Sequence, residues 1–231
     1  MTENQAIVLL IEDERQMRRF LRVALESEKY GVLEAETAAD GLSQVATRNP
    51  DVVLLDLGLP DLDGLEVIEK LREWSAVPVI VISAREKEGD KIKALDRGAD
   101  DYLTKPFGAG ELLARIRVAL RHASPKNQDQ GEAVFVAADL RIDFLKRQVF
   151  CGTRKIHLTP IEYRLLTVLV KNAGKVMTHR HIIREVWGPL YVEQTHYVRV
   201  FMNQLRKKIE TDSTRPRFLL NEPGIGYRFK E

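Results

Sequence analysis

Four stretches of this sequence end an apolar run on side chains able to do chemistry. Glu12 and Asp13 follow the run at 6–11, Asp56 follows 52–55, Ser83 follows 77–82, and Lys105 stands just beyond Tyr102 and Leu103. Carboxylates crowded on one rim repel one another unless a cation lies among them, and hard oxygen donors suit magnesium (Mg2+). The Lys105 ammonium can hold a phosphate oxygen as a point charge, and the Ser83 hydroxyl can donate a hydrogen bond. An aspartate carboxylate can also attack phosphorus to form an acyl phosphate. The set points to handling of a phosphoryl group, provided the side chains meet.

What would bring them together is the order of the runs. Short apolar segments at 6–11, 32–35, 52–55, 77–82 and 102–103 alternate with segments of helical periodicity. In the first of these, Met17, Phe20, Leu21, Ala24 and Leu25 recur at helical spacing and form one apolar stripe. Similar stripes run through 41–47, 65–71, 92–95 and 112–120. Strands apolar on both faces, each followed by a helix, predict an α/β fold: a doubly wound, five-stranded parallel sheet with helices on each side. Ligands of such sheets sit beyond the carboxyl ends of the strands, where Glu12, Asp13, Asp56, Ser83 and Lys105 all stand.

That unit fills only the first half of a 231-residue chain whose 44% hydrophobic content suits ordinary globular domains, so two domains are expected. Charge divides the same way. Through His122 there are 17 Lys and Arg against 23 Asp and Glu, and beyond it 19 against 11, within a net charge of +2. A basic second half suits a polyanionic partner such as nucleic acid. Cys151 is the single cysteine, which excludes an intrachain disulfide and a CxxC metal site and suits a reducing compartment. The run at 6–11 is too short for a signal peptide or a membrane span, so no membrane association and a cytoplasmic location are expected.

The polar, proline- and glycine-containing stretch at 123–131 reads as a linker between a first domain at 1–122 and a second at 132–231. Short alternating runs then predict a small antiparallel sheet. Thr159, Pro160 and Glu162 form a capping-box signature opening a helix that Gly174 closes. A second helix follows Thr178, and a third spans about 194–210. In the third, Val198, Phe201, Met202, Leu205 and Ile209 make the buried stripe, opposite His196, Arg199, Asn203, Arg206 and Lys207. Arginine and asparagine pair with guanine and adenine edges, and a helix fits the major groove; from this helix alone, a solvated face reads equally well. The terminal segment 215–231 reads as two strands around a turn, carrying Arg217, Tyr227 and Arg228.

With the motifs "ED" at 12–13, "LLDLGLPDLDG" at 54–64, "SA" at 83–84 and "DDYLTKPF" from residue 100, the first half resembles the receiver domain of two-component response regulators. "LTPIEYRLL", "VWG" and "GIGYRF" make the second half resemble the winged helix-turn-helix of the OmpR/PhoB family of transcription factors. The resemblance implies that Asp56 accepts phosphate from a sensor histidine kinase, with Mg2+ held by Asp13, Asp56 and Gly58 and by Glu12 through water. It implies that Lys105, before a cis Pro106, binds the phosphoryl group, and that Ser83 and Tyr102 form a switch pair. It also implies a homodimer through Lys91, Asp100, Asp101, Glu111, Arg115 and Arg117, with Lys91 paired to Glu111 and Asp101 to Arg115 across the two-fold. The third helix would enter the major groove of promoter DNA, Arg217, Tyr227 and Arg228 would serve the wing, and the 188–194 loop would meet RNA polymerase. "REWSAVPVIVISAR" and "HYVRVFMNQLRKKIE" narrow the resemblance to regulators of potassium-uptake operons partnered by a KdpD-like kinase.

Two other readings stand beside this one. "DLDG" at 61–64 is similar to the nucleophile motif of haloacid-dehalogenase-type phosphatases, although "GLP" rather than an apolar strand precedes Asp61. The first domain could alternatively serve protein interaction alone.

Overall fold

A computed structural model describes residues 5–123 and 134–230. The chain divides into two compact units, Met1–Ala123 and Ser124–Glu231. Of the expected linker, 124–131 lies outside the described residues, and Ala123 belongs to the last helix of the first unit.

In the first unit, strands and helices alternate: β1 (Ile7–Ile11), α1 (Arg15–Ser27), β2 (Gly31–Ala35), α2 (Ala38–Arg48), β3 (Val52–Asp56), α3 (Gly64–Arg72), β4 (Val79–Ser83), α4 (Glu88–Asp96), β5 (Asp101–Thr104) and α5 (Ala109–Ala123). The strands form one parallel sheet in the order β2-β1-β3-β4-β5. Every residue of β3 and of β4 is buried, as apolar strands covered on both faces must be. The chain order reverses between β1 and β3, so the loops after these neighbours diverge and leave a crevice at their carboxyl ends. That crevice is what sets Glu12 and Asp13 beside Asp56.

One helix departs from the apolar stripe. Phe20 is 43% exposed, while Arg18 is buried. Hydrogen bonding decides it: the Arg18 guanidinium finds backbone carbonyls to satisfy its donors. Phe20 lies beside the Phe107 ring.

The second unit opens with an antiparallel sheet of β6 (Val134–Ala137), β7 (Leu140–Asp143), β8 (Gln148–Cys151) and β9 (Arg154–Ile156). Then come α6 (Pro160–Lys171), β10 (Val176–Thr178), α7 (His179–Val186), a short 3-10 turn at Pro189–Tyr191, α8 (Thr195–Ile209), β11 (Leu219–Glu222) and β12 (Gly226–Phe229). Thr159 and Glu162 form the capping box of α6, and the same Glu162 carboxylate takes the Lys208 ammonium of α8 at 2.6 Å. Trp187, buried at the end of α7, packs against the Tyr197 and Phe201 rings of α8.

β10 is an addition to the expected hairpin: it pairs antiparallel with β12 and makes the sheet β10-β12-β11. Three residues are too few to show an alternating pattern, but Gly226 bears a trace of the pairing. A Cβ there would lie 1.9 Å from the Met177 carbonyl oxygen, so only glycine lets the strands approach.

The wing is pinned to α8 by two side chains from the last turns of the helix. The buried Glu210 carboxylate accepts hydrogen bonds from the amides of Arg217, Phe218 and Leu219 at 2.8, 2.9 and 2.9 Å. Arg206 donates to the Leu219 carbonyl from Nε at 3.1 Å. A buried donor stripped of its partner costs about 1–3 kcal/mol, and Glu210 serves three. Glu210→Ala is therefore expected to destabilise the second unit by about 3 kcal/mol or more, read from urea unfolding followed by Trp187 fluorescence.

Candidate functional site

The last residue of β3, Asp56, is 9% exposed, and its Oδ2 accepts the Gly58 amide hydrogen at 2.7 Å. Gly64 lets α3 begin close by, since a Cβ there would lie 2.6 Å from the Asp56 carbonyl oxygen. The Lys105 ammonium, delivered by the loop after β5, lies 3.0 Å from Asp56 Oδ1 and 2.8 Å from Glu12 Oε2. The Lys105–Pro106 peptide bond is cis. Glu12, Asp13 and Asp56 each bring an oxygen within 4.8 Å of the others. Two of these carboxylates are buried and Asp13 is open to solvent. An all-oxygen donor set with one open side fits a hard divalent cation that keeps some of its waters.

Burial pushes the Glu12 carboxyl above its ordinary pKa, and the Asp56 charge adds to the rise while Lys105 opposes it. For Lys105, burial pulls the pKa down, but the hydrogen bond to Glu12 and the charge of Asp56 outweigh it and raise the pKa. Behind the acids, Arg18 Nη1 donates to the carbonyls of Glu12 and Asp13 at 2.8 and 3.0 Å, and its Nη2 pairs with Glu36. This clamp on the backbone of the acidic pair had no sequence signal beyond a basic residue out of phase with the polar face of α1.

Ser83, ending β4, is buried, and its Oγ accepts the Arg85 amide hydrogen at 3.1 Å. Tyr102 is also buried, and its hydroxyl donates to the Arg85 carbonyl at 2.8 Å. Burial raises the pKa of that phenol. The DLDG aspartates have structural partners instead of a strand-end position. Asp61 accepts the amides of Ala38 and Ala39 at the start of α2, and Asp63 caps α3 through the Leu65 amide. The phosphatase reading loses its nucleophile with them.

The six residues expected on a dimer face separate. Asp100 is 6% exposed, and its Oδ2 accepts from Arg72 and from the Val79 amide, so it is a buried brace between α3 and β4 and not a surface group. Asp101 and Arg115 pair within the one chain, Nη1 lying 2.9 Å from both carboxylate oxygens, because β5 and α5 are adjacent. Arg115 also holds Glu111 one turn earlier at 2.7 Å. Lys91 is half-buried and Arg117 is exposed.

On α8, Arg199, Asn203 and Lys207 are exposed, and His196 is half-buried, edge-on to Tyr197. Arg206 belongs elsewhere: it turns to the Leu219 carbonyl and lies over the Tyr227 ring, so it braces the wing. Tyr227 is 5% exposed and packs against His179, which removes it from the wing surface. Arg217 reaches Asp139 at 2.6 Å, behind the hairpin tip, and Arg228 pairs with Glu222 across it.

A doubly wound parallel sheet with an acid, hydroxyl and amine cluster at its strand ends, followed by a winged helical unit, defines a two-component response regulator with a DNA-binding output domain. The response regulator receiver domain matches residues 8–117, and the C-terminal domain of transcriptional regulatory proteins matches 153–229. The chain is 56% identical to the KDP operon transcriptional regulatory protein KdpE of Escherichia coli K12, over 96% of this chain and 98% of the relative. It is 45% identical to KdpE of Mycobacterium tuberculosis H37Rv, over 97% of this chain and 99% of that one. A solved structure of a RitR mutant superimposes with a TM-score of 0.78 at 28% identity, covering 98% of this chain and 99% of the other. The chain belongs to the OmpR/PhoB-type response regulators, among relatives of the KdpE type. It is thus a transcription regulator and not an enzyme, with a histidine kinase and promoter DNA as its implied partners. No helix among the described residues is long and apolar enough to cross a membrane.

A carboxyl whose folded pKa lies above its unfolded value binds its proton more tightly in the folded chain, so stability rises as pH falls through that pKa. Lys105→Met removes what holds Glu12 down and widens the gap. The stability deficit of this variant is expected to shrink as pH falls from neutrality through the raised Glu12 pKa in urea titrations. In the unsubstituted chain the Lys105 contribution is present at neutral and acidic pH and is lost only as pH climbs through its raised pKa. A deficit constant with pH would separate Lys105 from Glu12.

Proposed function

We propose that Asp56 is the phosphoacceptor of a KdpD-like sensor histidine kinase, and that its phosphorylation drives this regulator onto the promoter of a potassium-transport operon in the cytoplasm. The observation that carries the reading is the Lys105 ammonium within 3.0 Å of Asp56 and 2.8 Å of Glu12, at the rim where three carboxylates converge. In the transfer, a carboxylate oxygen of Asp56 forms the new bond to phosphorus as the bond from phosphorus to the donor histidine nitrogen breaks, and that nitrogen keeps the electron pair. Asp13 and Asp56, with the Gly58 carbonyl and with Glu12 through water, would hold Mg2+, which supplies positive charge to the phosphoryl oxygens when bound. Lys105 neutralises a further oxygen.

The modified side chain carries roughly two negative charges, by analogy with other phosphorylated residues. Ser83, whose Oγ accepts the Arg85 amide hydrogen in this state, turns its hydroxyl to donate to the phosphoryl group. Tyr102, already buried beside it, follows the space that Ser83 leaves. Inverting a 1:99 population takes about 5.5 kcal/mol, which several charge-assisted contacts together can supply. Lys91, Asp101, Glu111, Arg115 and Arg117 then contribute to a homodimer. Paired basic domains raise their effective concentration over adjacent half-sites. On DNA, Arg199 and Asn203 read base edges, while His196, Lys207 and the wing residues Arg217 and Arg228 serve the backbone; the 188–194 loop meets RNA polymerase.

Asp56→Asn is expected to fold normally but to take up no phosphate from acetyl phosphate and magnesium; undiminished labelling would assign the acceptor to another carboxylate. Arg199→Ala and Asn203→Ala are each expected to weaken binding to a potassium-uptake promoter fragment by about 1–3 kcal/mol with relaxed base preference. A change confined to the salt slope would make them phosphate contacts.

A further inference from the structure

Arg85, in the β4–α4 loop, ties that loop to β5 and to the β3–α3 loop beside the acidic pocket. Its amide donates to Ser83 Oγ at 3.1 Å, and its carbonyl accepts the Tyr102 hydroxyl at 2.8 Å. Its guanidinium crosses to the β3–α3 loop, with Nη2 2.7 Å from Asp63 Oδ2 and 3.5 Å from the Leu57 carbonyl. Asp63 is fixed at the other end, because its second oxygen caps α3 through the Leu65 amide at 2.8 Å. The backbone groups that hold Ser83 and Tyr102 therefore hang on a side chain anchored beside Asp56.

We infer that the Asp63–Arg85 ion pair is a latch that positions the β4–α4 loop, holding the Tyr102 hydroxyl on the Arg85 carbonyl so that the ring stays buried, and Ser83 Oγ on the Arg85 amide. Neither residue touches the reacting atoms; both are positioning residues. The inference rests on Ser83 and Tyr102 being the switch pair, but it concerns the unphosphorylated chain and can fail separately. The two side chains are 38% and 39% exposed, so their attraction is screened and supports a several-fold bias, not a thousand-fold one. A modest latch suits a switch, since a tight one would hold Tyr102 inward whatever the state of Asp56.

The test uses the full chain labelled with 3-fluorotyrosine, the Tyr102 resonance being assigned with Tyr102→Phe. Asp63→Asn keeps a capping side chain on α3 while removing the charge, and Arg85→Met keeps the backbone groups while removing the guanidinium. Each substitution is expected to raise the exposed-ring population of Tyr102 several-fold. The double variant should add little to either single one, because the two remove the same interaction. High salt should move the unsubstituted chain toward the variants. A Tyr102 resonance indifferent to both substitutions, or single effects that sum in the double, would overturn the latch. Acetyl phosphate labelling of the same samples separates the two readings: an unlabelled parent chain defeats the phosphoacceptor assignment, while the fluorine spectra still decide the latch.

Discussion

One ammonium shared between two carboxylates organises the receiver half. Glu12 and Asp56 end neighbouring strands, are both mostly out of water, and would repel each other without the Lys105 charge between them. Buried ion pairs gain little net stability over apolar packing, but removing one member leaves a charge uncompensated, which is strongly unfavourable. The arrangement is thus better suited to reactivity than to stability: it holds a pocket of negative charge in readiness at the crevice the sheet order provides.

The output half solves a different problem, that of keeping a helix and a hairpin in fixed relation. Glu162 ties α6 to α8 through Lys208, Glu210 ties α8 to β11, and Arg206 repeats that tie from one turn earlier. Each acid is buried and each is fully used by backbone amides or a cation, as buried charges must be. Residues on the outer side of α8, Arg199, Asn203 and Lys207, are left free of structural duty, which separates the residues that hold the shape from those available to nucleic acid.

Periodicity made the five parallel strands, their helices and the buried stripe of α8 legible, because hydrophobic spacing directly reports which side meets the core. The acids, hydroxyl and amine were legible because each ends an apolar run. What escaped were charged side chains whose destination depends on tertiary contacts: Arg18 turned inward to carbonyls, Arg206 to the wing, and Asp100 to Arg72. Spacing places the Cα of such a residue, but its side-chain torsions and its tertiary neighbours decide where its charge goes. Tyr227 was misplaced for a related reason, since an aromatic in a basic hairpin reads as a contact surface until side chains from other elements, here His179 and Arg206, cover it.

The internal pairing of Arg115 bears on how two copies could recognise each other. Its guanidinium already gives Nη1 to Asp101 and Nε and Nη2 to Glu111, so the side chain is ordered before any encounter. Part of the rotamer entropy that association usually forfeits has therefore been spent during folding. A neighbouring molecule's acid could engage Arg115 only by exchange with these internal ones, a swap of like for like. Such an exchange would be nearly neutral in free energy, and would select a matching partner by geometry instead of by strength.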